Sequence, residues 1–255
     1  PDVSLVGCSA LGAVLACPDV SLVGCSVAAP AVEIVVGTDA PDAAAGAAAW
    51  LARRIRSAVR LRGSVHVAFS GGTTPGLMVA ALAAMDLPWG TVHAWQVDER
   101  VAPDGDPDRN SGLVGDLPVP RGNVHLMAVG ASNLGAAAAR YAAELPPVLD
   151  IVHLGLGDDG HTASWPPGDP VVDDRARVGL SGEYRGRVRM TLTPAAVNAA
   201  RARLVLATGP GKAGVVERWL LGDPALPIQR VRRTGTTVVL DAAAAGRVVT
   251  PVPVR

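Results

Sequence analysis

The chain has 255 residues, 49% hydrophobic and 18% charged, which allows a sizeable core and excludes a disordered chain. That length fits one large α/β domain or two small ones. Formal net charge is zero, which argues against nucleic acid or an anionic membrane as partner, so an anionic ligand must be held by a few focused cations.

In chain order, residues 1–9, PDVSLVGCS, recur unchanged at residues 18–26, too few copies for a repeat architecture. All three cysteines, Cys8, Cys17 and Cys25, fall in this stretch, so none remains further on for a disulfide framework or a Cys-based zinc site. The apolar run from Val3 to Cys17 is too short for a bilayer span. No Lys or Arg precedes Arg53, so the basic region of an export signal is missing. We expect residues 1–31 to be an extension outside the fold, residues 32–255 to form the domain, and the location to be cytoplasmic.

From residue 32 strand-like and helix-like runs alternate. β-Branched, apolar stretches occur at 32–36, 64–69, 91–97, 123–127, 149–156, 188–192, 203–207 and 236–240. Most are apolar on both faces, as in parallel strands covered on both sides. Helical candidates lie between them at 42–60, 75–84, 134–144, 194–200 and 212–221. The first has Asp39 and Asp42 near its start and Arg53, Arg54, Arg56 and Arg60 in its second half, a polarity that suits the helix dipole. The alternation predicts a single three-layer α/β/α domain with a mostly parallel, Rossmann-like sheet.

Four segments that follow strands carry candidate chemistry. Ser70-Gly71-Gly72-Thr73-Thr74 leads into a helix opened by Pro75; it is a phosphate-binding turn or an ordinary capped one. Trp95 to Pro103 contains Asp98-Glu99-Arg100, where Arg100 can fork onto a phosphate with Asp98 or Glu99 orienting it, unless the three form a solvated rim. In Leu154 to Ser164, LGLGDDGHTAS, His161 sits in a polar, Gly-flanked loop two residues after Asp159. It can accept and return a proton near neutral pH, with Asp159 fixing its tautomer. His66, His93, His125 and His153 each follow a valine inside a predicted strand and read as scaffold. In Thr208-Gly209-Pro210-Gly211-Lys212-Ala213, the chain's one lysine stands at a Gly-rich turn into a helix, as a phosphate grip or a surface residue.

Together, in this order, the segments resemble the 6-phosphogluconolactonase family. SGGTTP is similar to its SGGSTP loop, WQVDERVAP to its W…DERxVP strand end, and LGLGDDGHTAS to its LGxGxDGHTAS signature. RMTLTP, from Arg189 to Pro194, and TGPGKA also have counterparts, and the resemblance spans roughly residues 32–242. It implies the fold of sugar-phosphate isomerases and deaminases, and hydrolysis of 6-phospho-D-glucono-1,5-lactone in the oxidative pentose phosphate pathway. By the same carry-over His161 is the acid/base, Asp159 its partner, and Arg100, Arg189, Lys212 and the Ser70–Thr74 loop hold the phosphate. No metal or cofactor is implied, and the expected partner is a small phosphosugar lactone bound by a monomer. Two departures from the family pattern, Trp165-Pro166-Pro167-Gly168 and Arg109-Asn110, could alter the mouth of the site, and neither removes a proton-transfer residue.

Three alternatives compete. Amino-sugar-phosphate deaminase-isomerases read DGHIAFNEP with a functional glutamate, whereas here no acid follows His161 before Asp169. A serine hydrolase would use Ser70 in AFSGG, yet no histidine follows His161 in the chain. A non-catalytic sugar-phosphate sensor would keep the pocket without turnover.

Overall fold

A computed structural model describes residues 32–246. The duplicated PDVSLVGCS segment, its three cysteines and the rest of the proposed 1–31 extension lie outside the described residues, as do residues 247–255.

The elements run β1 (Glu33–Gly37), α1 (Ala40–Arg62), β2 (Val65–Phe69), α2 (Thr73–Ala83), β3 (Val92–Gln96), β4 (Asp98–Arg100), α3 (Ser111–Gly115), β5 (Val124–His125) and α4 (Leu134–Glu144). They continue through β6 (Ile151–Gly155), β7 (Val178–Tyr184), β8 (Arg187–Leu192), α5 (Pro194–Ala199), β9 (Ala202–Ala207), α6 (Ala213–Leu220), β10 (Thr236–Asp241) and α7 (Ala242–Ala245). The helix α1 begins where Asp39 caps it, its side chain accepting the Asp42 N–H at 2.9 Å, and ends on Gly63 at φ 80°. It buries Ala43, Ala44, Ala47, Ala48, Leu51 and Ile55, a stripe small enough at one end to let the helix lie close on the sheet.

Seven strands form one parallel sheet in the order β1-β10-β9-β6-β2-β3-β5. Alternate side chains go to opposite faces. Val65, Val67 and Phe69 pack with α1 and α2, while Ala68 joins Trp95, Val152 and Leu154 on the face covered by α4, α5 and α6. This is the three-layer arrangement read from the sequence. Strand order reverses between β2 and β6: the chain steps outward from β2 through β3 to β5, and from β6 through β9 to β10. Connections therefore diverge above the carboxyl ends of β2 and β6, opening a crevice.

One predicted strand sits elsewhere. Residues 188–192 belong to β8, the centre of a separate antiparallel sheet in the order β4-β8-β7. The sequence RVRMTL alternates arginine with apolar residues at its start, the period of a strand with one polar face rather than one covered on both sides.

The four scaffold histidines divide into a stack and a plug. His66, His93 and His125 lie side by side on β2, β3 and β5, with ring centroids 4.5 Å apart (His66–His93) and 5.5 Å apart (His93–His125), and His125 lies flat on Trp95 at 3.6 Å. Burial first, then the charge each would feel from a protonated neighbour, lowers His66 and takes His125 down to about 4; burial lowers His93. The fold thus holds these rings neutral, whereas in the unfolded chain they titrate near pH ~6.5. Groups with depressed values support the fold above about 6.5 and lose that support as pH falls towards the folded values. Lowering the pH from about 7.5 to 5 should reduce Tm, by only a few degrees because partial exposure screens the rings. His125→Phe, which keeps an aromatic on Trp95 without the titration, should flatten that slope; an unchanged slope would assign the acid sensitivity elsewhere. His153, fully buried, is pushed down to about 3 by burial.

Candidate active site

A cleft of about 380 Å³ occupies the crevice above β2, β6 and β9. Ser70, Gly71, Gly72, Thr73, Thr74, Arg100, His161, Arg189 and Lys212 all line it, although they come from five separate stretches of chain. Asp159 does not line the cleft; it stands beside the His161 ring.

The loop after β6 sets His161. The Gly157 N–H donates to the His161 carbonyl at 2.8 Å, and Gly160 makes the turn at φ 85°. A Cβ on Gly157 would lie 1.9 Å from His161 Nδ1, so the ring can occupy its place only above a residue with no side chain. His161 Nδ1 is 2.6 Å from Asp159 Oδ1, which also accepts the His161 backbone N–H at 3.1 Å. The Tyr184 hydroxyl donates to Asp159 Oδ2 at 2.6 Å. Burial works to raise the Asp159 value, but the hydrogen bonds from Tyr184 and His161 outweigh it and hold the carboxyl down at about 2. Burial and the same carboxylate push the Tyr184 phenol up. With Nδ1 given to an ionised carboxylate, Nε2 is the nitrogen left to exchange a proton across the cleft.

Among the described residues, Asp158, Asp159 and His161 are the one trio of potential metal-ligating side chains brought together. Both Asp159 oxygens and the His161 Nδ1 are already engaged, and Asp158 pairs with Arg185 at 2.9 Å, so this donor set fits a proton-handling pair better than a cation.

The cations face one another. Arg100 and Arg189 are directly opposite in the β4–β8 register, a pairing of like charges that costs stability. Arg189 is buried, its Nε has no hydrogen-bond partner, and burial followed by the Arg100 charge lowers its pKa. Neither guanidinium nor Lys212 forms an ion pair among the described residues. An anion in the cleft would relieve the repulsion and satisfy the buried donor. The third wall is the start of α2, where Gly72 at φ 121° leaves the first-turn amides without a side-chain cap. A Cβ on Gly71 would fall 1.7 Å from Asn110 Oδ1, so this turn too requires glycine. Across the cleft, Thr74 Oγ1 meets Thr208 Oγ1 at 2.6 Å, tying the α2 start to the turn that carries Lys212.

Several sequence expectations need correction. Neither Asp98 nor Glu99 orients the Arg100 guanidinium, which instead donates to the Asp108 carbonyl at 2.6 Å and to Asn110 Oδ1 at 2.8 Å. Successive strand side chains point to opposite faces. Glu99 therefore turns away from the cleft to receive the Asn110 and Ser111 amides and to pair with Arg109 at 3.0 Å. Asp98 shares the Arg100 face but accepts the hydroxyls of Ser70 at 3.2 Å and Ser164 at 2.7 Å. Of the two departures that could alter the mouth, Trp165 is fully buried with its indole N–H on the Leu192 carbonyl at 2.8 Å, and Arg109 stands behind Glu99; neither side chain lines the cleft. Tyr184, Asn110 and Arg185 belong to the site; the sequence points to Asn110 only through the Arg109-Asn110 departure and to Tyr184 and Arg185 not at all. Asn110 serves the DER run ten residues before it, its amide N–H on Glu99 and its Oδ1 on Arg100, whereas no local signal marks Tyr184.

Comparison with known proteins converges on one group. A family model described as "Glucosamine-6-phosphate isomerases/6-phosphogluconolactonase" matches residues 38–240. A 6-phosphogluconolactonase of Streptomyces coelicolor is 36% identical over 245 aligned positions, covering 84% of this chain and 94% of the relative. The solved 6-phosphogluconolactonase of Leishmania guyanensis superposes with a TM-score of 0.77 at 27% identity, covering 86% of this chain and 100% of that one. That of Trypanosoma cruzi gives a TM-score of 0.77 at 25% identity, with 86% and 97% covered.

Proposed function

The chain belongs to the glucosamine-6-phosphate isomerase/6-phosphogluconolactonase family, and from that premise we propose that it hydrolyses 6-phospho-D-glucono-1,5-lactone to 6-phospho-D-gluconate. The reaction is that of a carboxylic ester hydrolase, a step of the oxidative pentose phosphate pathway. Support for this activity over the isomerases named in the same family comes from the relatives that match most of the chain, which carry the lactonase name. On the residues themselves, the stretch after His161 carries no carboxylate: Thr162 is tied to the Gly155 carbonyl at 2.7 Å and Ser164 to Asp98.

The observation that carries the mechanism is the 2.6 Å contact of His161 Nδ1 with an ionised Asp159, on one side of a cleft also lined by Arg100, Arg189, Lys212 and the start of α2. His161 Nε2 takes a proton from water as the oxygen attacks the lactone carbonyl carbon. The imidazolium, stabilised by Asp159, then gives that proton to the ring oxygen as the ester C–O bond breaks. Backbone amides of the Gly-rich turns stabilise the oxyanion. Arg100, Arg189, Lys212 and the Ser70–Thr74 turn hold the phosphate, so that the ring is oriented before attack. No step requires a metal or organic cofactor. In this reading residues 32–255 act as one cytoplasmic, monomeric unit, with residues 1–31 outside it. A serine nucleophile is disfavoured because Ser70 Oγ donates to Asp98 rather than to an imidazole.

The test is the rate of loss of freshly generated 6-phosphogluconolactone above its spontaneous hydrolysis, with unphosphorylated gluconolactone as control. Rapid, phosphate-dependent turnover is the expected result. Binding without acceleration would instead make this a sugar-phosphate sensor.

A further inference from the structure

Two consecutive residues at the tip of the β7–β8 hairpin reach across to two consecutive carboxylates in the loop after β6. Tyr184 meets Asp159 at 2.6 Å, and Arg185 meets Asp158 at 2.9 Å. The hairpin belongs to the small antiparallel sheet, so this clamp joins the two sheets at the reacting centre. Arg185 adopts φ 52°, a left-handed conformation that a residue with a side chain rarely takes, followed by Gly186 at φ 76°. The turn is thereby bent so that both side chains face the loop.

The Tyr184 hydroxyl has two partners, Asp159 Oδ2 and, at 3.3 Å, His161 Nδ1. Its ring stands edge-on to the imidazole, with centroids 5.3 Å apart, and the guanidinium carbons of Arg185 and Arg189 each lie 5.2 Å from its centre. Those contacts hold the ring, and the backbone ladder between β7 and β8 already closes the hairpin. The hydroxyl is therefore not needed to form the turn; what it contacts is the imidazole–carboxylate pair.

We propose that Tyr184 is a positioning residue for lactone hydrolysis. It occupies Asp159 Oδ2, keeps Oδ1 turned to His161, and draws off part of the carboxylate charge that the imidazolium would otherwise feel. Without it, a carboxylate about one-third exposed would be held only through Oδ1, by the imidazole and the His161 backbone N–H at 3.1 Å. The proposal rests on the reading of His161 as the acid/base.

The test is a double-mutant cycle of Tyr184→Phe and Asp159→Asn on the full chain, with pH profiles of kcat/KM. Tyr184→Phe should lower kcat about tenfold, the scale of one hydrogen bond to a charged group, with KM little changed. Its acid limb should move to higher pH, because an unquenched Asp159 stabilises the imidazolium more. The position of that limb does not depend on how much of the protein is folded. Acting through Asp159, the tyrosine should cost almost nothing further in the Asp159→Asn background. An unchanged kcat and limb would overturn the proposal. So would a fall in kcat with an unmoved limb and additive losses, which marks a merely structural contact. A wild-type chain that does not accelerate loss of the phosphorylated lactone would instead remove the functional reading itself, a result the wild-type assay gives before any variant is made.

Discussion

Replacing His161 with Ala should lower kcat by about 10²–10⁴-fold, the range for loss of a general acid–base group. The lactone carbonyl is already activated, so the barrier lies in making water nucleophilic and in protonating the departing ring oxygen. In the proposed mechanism the imidazole whose Nδ1 is fixed by Asp159 at 2.6 Å serves both steps. KM should change little, because the proposed phosphate contacts come from the turns after β2 and β9 and from β4 and β8. Asp159→Asn should act in the same direction: it removes the charge that stabilises the imidazolium and unsettles the tautomer that leaves Nε2 free. Ser70→Ala gives the contrast. Its hydroxyl donates to buried Asp98 and has no imidazole partner, so its loss should disturb the α2 turn and appear in KM. Near-normal kcat in His161→Ala, or loss of turnover in Ser70→Ala with covalent labelling at Ser70, would overturn the assignment.

What was legible in the sequence follows from which signals are local. The strands β2, β6 and β9 run apolar on both faces and are bounded by Gly-rich turns, so their place in a covered parallel sheet can be read from composition alone. The three turns that follow them then fall on one crevice because β2, β6 and β9 are adjacent. The strand β7 is not legible: Gly179, Gly182 and Glu183 interrupt it, and it is held by pairing with β8 rather than by its own pattern. Tyr184 is hidden for the same reason, since no spacing rule links a hairpin tip to a distant carboxylate. The partner of Arg100 is hidden for a different reason. Adjacency in DER suggests an intramotif pair, but strand geometry sends Glu99 to the opposite face, and the loop residue Asn110 supplies the contact instead.

Arg100→Ala and Lys212→Ala should each raise KM for the phosphorylated lactone by about 10–100-fold, the scale of a lost charge-assisted contact, while leaving the unphosphorylated lactone nearly unaffected. Such selectivity follows from the state of the cleft. Arg100 and Arg189 sit opposite one another, Arg189 retains a buried donor without a partner, and none of the three cations forms an ion pair among the described residues. Holding like charges together has a cost in the folded protein that a dianion repays, so inorganic phosphate should raise Tm in the wild type. The rise should be smaller in Arg100→Ala, where the repulsion is already relieved and one arm of the grip is gone. Kinetics and melting therefore report the same contact independently. The two substitutions also separate the walls: Arg100 approaches from β4, and Lys212 from the turn before α6, where Asp158 is a charged neighbour. A preference for the phosphorylated substrate that survived both changes, with the phosphate-induced rise in Tm intact, would place the phosphate outside this arginine–lysine pocket.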